Sequence, residues 1–204
     1  MGWMDVAATD AFLTAEEAAV RRRVREHLRN RRVAEGAASG SGGAPDPRPL
    51  LRDLGFDSLA AAGLVATTLV VEEASRISPG LGRALLAGTT GERAGAEAAW
   101  SLGTAAAACE ACLEAVRRGG LFESALLGHQ GVQVALGVLV TELESARLRA
   151  FRALRLIERG EAVRGEGELD RASALAVRTR DAALALTASL PGTSRGPEVE
   201  RSRR

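Results

Sequence analysis

Residues Phe122–Arg159 read FESALLGHQGVQVALGVLVTELESARLRAFRALRLIER, and they constrain the fold more tightly than any other stretch. From Val132 the apolar positions fall at Val132, Leu136, Leu139, Leu143, Ala146, Ala150, Leu154 and Ile157. The steps of four and three residues are those of a helix stripe close to a heptad seam, held for about seven turns. The charged residues Glu142, Glu144, Arg147, Arg149, Arg152, Arg155, Glu158 and Arg159 lie mostly off that stripe. A helix of this length cannot bury its stripe alone, so partner helices along its whole length are expected.

Composition narrows what those partners can be. The 204 residues are 46% hydrophobic and 26% charged, which suits a globular fold with one substantial core or two small ones. Aromatics make up only 3%, with no Tyr, so the core must be built from Ala, Leu and Val, as in closely packed helices. The basic residues are all Arg, and the net charge of +1 argues against a nucleic-acid binder held by phosphate neutralisation. Two cysteines give no secretory framework. The start, MGWMDVAATDAF, reads as neither a signal peptide nor a membrane span, and a cytoplasmic protein is expected.

Outward from the long helix, the chain divides into further helical segments. Thr14–Glu35 begins with a capping box, Thr14 and Glu17. The Arg-rich positions 21–32 read as a solvated helix face, since Val20, Val24, His27 and Leu28 line the other side. Residues 36–49 (GAASGSGGAPDPRP) read as a flexible loop. Leu50–Leu54 is a short helix stopped by Gly55. Asp57–Ile77 reads as one helix with Leu59, Gly63, Ala66, Val70 and Ala74 on a face, broken at Ser78-Pro79-Gly80. Leu81–Ala87 is short, and Glu92–Arg118 is long and Ala-dense, ended by Gly119-Gly120. Gly160–Gly167 reads as a loop, and Leu169–Leu190 as the last helix. No segment carries the period of two that a strand needs. The fold class is therefore all-α, a bundle with antiparallel neighbours.

Several segments, in order, carry a family resemblance. FLTAEEAAVRRRVREHL (12–28) resembles the opening helix of the acyl-CoA dehydrogenases, and LVVEEASRISPGLGRALLAG (69–88) resembles their LEELAR-x-x-x-GLA helix pair. SLGTAAAACEACLEAVRR (101–118) is similar to the first helix of their C-terminal domain. FESALLGHQGVQ (122–133) resembles their Phe-Gly-x-x-x-x-x-x-Gln segment, and LDRASALAVRTRDAALALTASL (169–190) their penultimate helix. The resemblance implies an N-terminal helical part over 1–90 and a C-terminal four-helix part over 91–204. In the family a β domain stands between them; here Gly88 and Glu92 are almost adjacent, so the two helical parts are expected to pack directly on each other.

The resemblance also implies where function would sit. Remnants of a flavin site fall on Phe122, Gln130 and Arg118. However, the family's Arg position is Gly119 here, with Arg118 one place off, and the Gly after Phe is Glu123. The usual catalytic Glu would follow the last helix, beyond Arg204. Some branches place it instead at the start of the first C-terminal-domain helix, where Glu92 and Glu97 stand. A carboxylate beside an acyl pocket can remove a proton alpha to a thioester; otherwise such a residue simply complements the helix dipole. His129 is a further acid–base candidate, or a helix-start packing residue. No flavin and no metal is expected.

Three other constellations compete with plain structural roles. Gly55-Phe56-Asp57-Ser58-Leu59 resembles a carrier-protein motif in which Ser58 takes phosphopantetheine, but Ser58 also fits an ordinary helix N-cap. Cys109 and Cys112 share a helix face, yet lack the further ligands zinc requires, and read as buried small residues. Arg180 and Asp181 read as a solvated or interhelical charge pair. The function expected is flavin-independent proton transfer on an acyl thioester or related metabolite, by isomerisation, elimination or cyclisation in a biosynthetic pathway. The alternatives are a non-catalytic partner subunit of an intact acyl-CoA dehydrogenase, or a residual dehydrogenase holding FAD between protomers. A homodimer is expected, with neither nucleic acid nor membrane as partner.

Overall fold

A computed structural model describes residues 12–36, 46–56, 63–87, 89, 93–118 and 130–190. Among these residues there are seven helices and no strand: α1 Ala15–Gly36, α2 Arg48–Asp53, α3 Leu64–Ile77, α4 Pro79–Ala87, α5 Arg93–Arg118, α6 Gln130–Glu158 and α7 Ala162–Ser189. The fold is all-α, as the sequence periodicity implies. The stripe of α6 is buried at Leu139, Leu143, Ala146, Ala150 and Leu154, where α6 packs against α7 and α5. The capping box at α1 forms as expected: the Glu17 amide donates to Thr14 Oγ1 at 3.2 Å and the Thr14 amide to Glu17 Oε2 at 2.8 Å.

The centre of the molecule is α3. Every residue from Thr67 to Ser75 is buried, so this helix is enclosed on all sides rather than along one stripe. Val65 and Leu69 join one core with α5, α6 and α7. Val70, Val71 and Ala74 join a second core with α1, α2, α4 and the start of α5. Both cores draw on residues from either side of position 90. The polar residues of α3 have partners close at hand: Thr68 Oγ1 donates to the Leu64 carbonyl at 3.0 Å and Ser75 Oγ to the Val71 carbonyl at 2.6 Å, the back-bonding that small hydroxyls use inside helices.

Glycine on the neighbouring helices lets them approach α3 closely. A Cβ at Gly103 in α5 would lie 2.2 Å from the Glu72 carbonyl oxygen, and one at Gly82 in α4 would lie 1.9 Å from Ser75 Oγ. α3 is thus clasped between α4 and α5.

A network of charges crosses the same region. Glu72 and Glu73 are 0% and 1% exposed, and Arg21 and Arg147 are 1% and 2% exposed. Arg147 Nε donates to Glu72 Oε1 at 2.6 Å, and Arg21 Nε to Glu73 Oε1 at 2.7 Å. Arg25 Nε reaches Glu73 Oε1 at 2.9 Å, and Arg76 joins Glu73 to Glu110, with Arg76 Nε at 2.7 Å from Glu110 Oε1. Arg147 also bonds Glu144. Ionised groups out of water are stable only when paired and hydrogen-bonded, and here the pairs bind α1, α3, α5 and α6 together. At the periphery Arg155 Nη2 bonds both oxygens of Glu17 at 2.7 Å, tying α6 to the start of α1.

Three sequence expectations are corrected. Arg21 is not on a solvated face: it is buried against a carboxylate of α3, as is Arg147 from α6. The helix read as Asp57–Ile77 begins at Leu64, because Gly63 has φ +80°, a left-handed conformation that interrupts a helix and suits glycine. The expected loop Gly160–Gly167 is confined to a turn at Gly160, φ +87°, and α7 begins at Ala162. Gly165 is helical and buried, its position for a Cβ only 2.4 Å from Ile157; the glycine serves helix contact rather than a loop. The loop 36–49 falls largely outside the described residues, as does Gly119-Gly120.

Two stability outcomes follow from this packing. Gly103→Ala forces a Cβ into backbone and is expected to destabilise by about 1–3 kcal/mol. Gly137→Ala on α6, where no atom lies within 4 Å, is expected to stabilise by about 0.5–1 kcal/mol through helix propensity; urea denaturation measures both. Burial acts to raise the Glu73 carboxyl, but Arg21, Arg25 and Arg76 outweigh it and bring it from the ordinary 4.5 down to about 2. As pH falls, the unfolded chain takes up this proton first. The stabilisation, on the order of 3 kcal/mol, is present above about pH 4.5 and lost towards pH 2. The urea midpoint is therefore expected to hold from pH 8 to 5 and to drop steeply below.

Candidate functional site

An open cleft of about 470 Å³ lies where α4, α5 and α7 meet. Its polar wall is Arg83 and Thr89 from the α4 side, Glu97, Trp100 and Ser101 from α5, and Ser173 from α7; Leu86 and Ala87 add a small apolar part. The packing of α3 generates this arrangement. α4 buries Leu81, Gly82 and Leu85 against α3, which turns Arg83 outward. α5 buries Ala98, Ala99 and Leu102, which leaves Glu97, Trp100 and Ser101 on its cleft-facing side.

The side chains are held in place by specific contacts. Trp100 Nε1 donates to the Pro79 carbonyl at 3.3 Å, fixing the indole against the start of α4. The Arg83 guanidinium carbon lies 4.2 Å from the centre of the Trp100 ring, a cation–π stack. Ser101 Oγ and Ser173 Oγ are 3.0 Å apart. Glu97 and Ser101 are one helical turn apart and share a face. Thr89 Oγ1 donates to the Leu86 carbonyl at 2.7 Å, closing the end of α4. A carboxylate, a hydroxyl pair and a stacked guanidinium thus converge on one opening. Such a set can accept a proton, donate to a carbonyl and hold an anion.

Of the residues picked out from sequence, Glu97 lies on the cleft wall and is exposed. Glu92, Phe122 and His129 lie outside the described residues, as does Ser58. Gln130 is the first residue of α6 and is exposed; Arg118 ends α5, with its side chain outside the description. These remnants are therefore not brought together with Glu97 by anything described. Cys109 and Cys112 are buried in the α5 seam, and burial, then the neighbouring Cys112, pushes the Cys109 thiol up to about 12. Among the described residues no group of three or more His, Cys, Asp or Glu could hold a metal. His27 Nδ1 pairs with Asp53 at 3.0 Å, joining α1 to α2. Arg180 bonds its neighbour Asp181 at the surface at 2.9 Å.

Sequence reasoning missed Arg83, Trp100, Ser101 and Ser173. Nothing local connects Ser101 with Ser173, which are 72 residues apart. It also missed the buried network, for which a signal existed: Glu72-Glu73 interrupts the apolar run Leu69-Val70-Val71 and Ala74, and acids in such a setting need partners.

Only residues 88–92 separate α4 from α5, and Gln130 stands exposed at a helix start. A second cleft, of about 380 Å³, borders Glu17, Phe56, Gly63 and Glu158, but it adjoins residues 57–62, which are outside the description.

The fold and site define an all-helical bundle with an open, mixed-charge cleft between its helices. Residues 80–201, well over half of the chain, match the family model described as acyl-CoA dehydrogenase, C-terminal domain, and the chain belongs to that family. No curated protein and no solved structure gave a match. Among the described residues no helix is long and apolar enough to cross a membrane.

Proposed function

We propose that this chain performs flavin-independent proton transfer on an acyl thioester or related metabolite, with Glu97 as the base. The observation that supports it is the placement of the Glu97 carboxylate on a ligand-sized cleft, one turn from the Ser101–Ser173 hydroxyl pair. Of two hydroxyls at 3.0 Å, one donates to the other, and the second keeps its proton for the ligand's carbonyl oxygen. Glu97 takes the proton alpha to the carbonyl; the C–H electrons form the enolate double bond, and the charge reaches the oxygen facing the hydroxyls. Return of the proton to another carbon gives isomerisation, and loss of a β-substituent gives elimination. Glu92 and His129 are the alternative bases. A residual flavin reaction, with FAD held between protomers at Phe122, Gln130 and Arg118, is the reading least supported.

A second observation supports association. On the outer side of α6, Val134, Val138, Thr141, Ser145 and Leu148 repeat at four, three, four and three residues with no charge among them. Val134 is 58% exposed, Val138 50% and Leu148 39%. A heptad seam facing outward suits another helix, and a symmetric homodimer is the simplest way to cover it. The same seam would serve the alternative function, docking on an intact acyl-CoA dehydrogenase.

In deuterated water, the α-protons of a butyryl thioester are expected to exchange in the presence of the chain, and Glu97→Gln to slow exchange by about 10²–10⁴-fold. An unchanged rate removes Glu97 as the base. A yellow purified protein, or one that takes up added FAD, would favour the flavin reading instead. Light scattering is expected to give twice the 21.2 kDa chain mass, falling to one chain on Val138→Glu; a monomeric wild type counts against the seam.

A further inference from the structure

Arg83 is spent differently from the other arginines around α3. Arg21, Arg76 and Arg147 are committed to carboxylates, whereas Arg83 forms no ion pair among the described residues and is held by its stack on Trp100 at 4.2 Å. Stacking fixes the plane of a guanidinium while leaving the N–H groups on its edge available, and their fork matches the oxygens of a carboxylate or phosphate. The indole beneath is itself anchored by the Pro79 carbonyl at 3.3 Å, so the cation is preorganised rather than swinging on a free side chain.

We propose that Arg83, seated on Trp100, is an anion-recognition subsite of the cleft and that the ligand carries a carboxylate or phosphate there. This rests on the reading of the cleft as the thioester site. Opposite charges on one cleft orient the ligand: its anionic group lies on Arg83, and its acidic C–H faces Glu97, because the reverse pose sets anion against carboxylate. The sparse apolar lining, Leu86 and Ala87, offers little to a long alkyl chain, so selectivity comes from the charged end. The anion has two possible sources, the acyl group itself or the phosphate of a pantetheine carrier.

Three probes separate these sources by calorimetric titration of the full chain: butyryl-N-acetylcysteamine, succinyl-N-acetylcysteamine and butyryl-4′-phosphopantetheine thioesters. Trp100 emission, read in a Trp3→Phe background, locates binding to this cleft. One anionic probe is expected to bind at least about tenfold more tightly than the neutral one. Arg83→Met, checked for its helical circular dichroism, is expected to erase that difference. A preference for the succinyl probe assigns the anion to the acyl group; a preference for the phosphorylated probe assigns it to the carrier. Equal binding of all three, or a preference that survives Arg83→Met, overturns the subsite and leaves the cleft reading standing. If no probe binds or none changes Trp100 emission, the cleft reading falls and the subsite with it.

Discussion

The two adjacent carboxylates of α3 set the terms for everything packed around them. Glu72 and Glu73 lie in the middle of the molecule, and each must meet a cation or cost several kcal/mol. Arg147 from α6 and Arg21 from α1 meet them at 2.6 and 2.7 Å. Apolar contacts tolerate sliding between helices; this arrangement does not, since a shift of one turn, about 5.4 Å, would leave buried charge unpaired. The network therefore fixes the axial register of α1 and α6 on α3, while the two cores supply most of the driving force.

Close backbone approach is the second constraint, and it links the centre to the cleft. Gly103 and Gly82 bring α5 and α4 against α3 from two sides, and the Ala-rich α5 in turn lets α7 pack closely on it. With α4 and α5 both drawn onto α3 and only residues 88–92 between them, their outward residues face one another across an opening. Arg83, Trp100 and Glu97 line that opening as a consequence of which sides of their helices are used for burial.

The legibility of the site divides along the same physical line. Glu97 could be picked out because it stands near the start of a readable helix within a readable family pattern. Ser173 could not, because its meeting with Ser101 depends on how α7 crosses α5. Arg83 gave no local sign of being different from the other arginines; its distinction is the ring beneath it. Arg21 reads as a surface charge because a helical wheel counts apolar positions and cannot show a carboxylate waiting on another helix.

The sequence by itself determined the helices, their approximate ends, the capping box at Thr14 and Glu17, the seam of α6 and the family, since these depend on spacings of a few residues or on segments in order. Even there, Gly165 was misread as loop chemistry, because a glycine for close contact and a glycine for a turn look alike in one dimension. The tertiary structure alone decided the enclosure of α3, the pairing of its two acids and the cleft between α4, α5 and α7. Each of these is a meeting of residues far apart in the chain, set by packing and by the cost of leaving charge unpaired out of water.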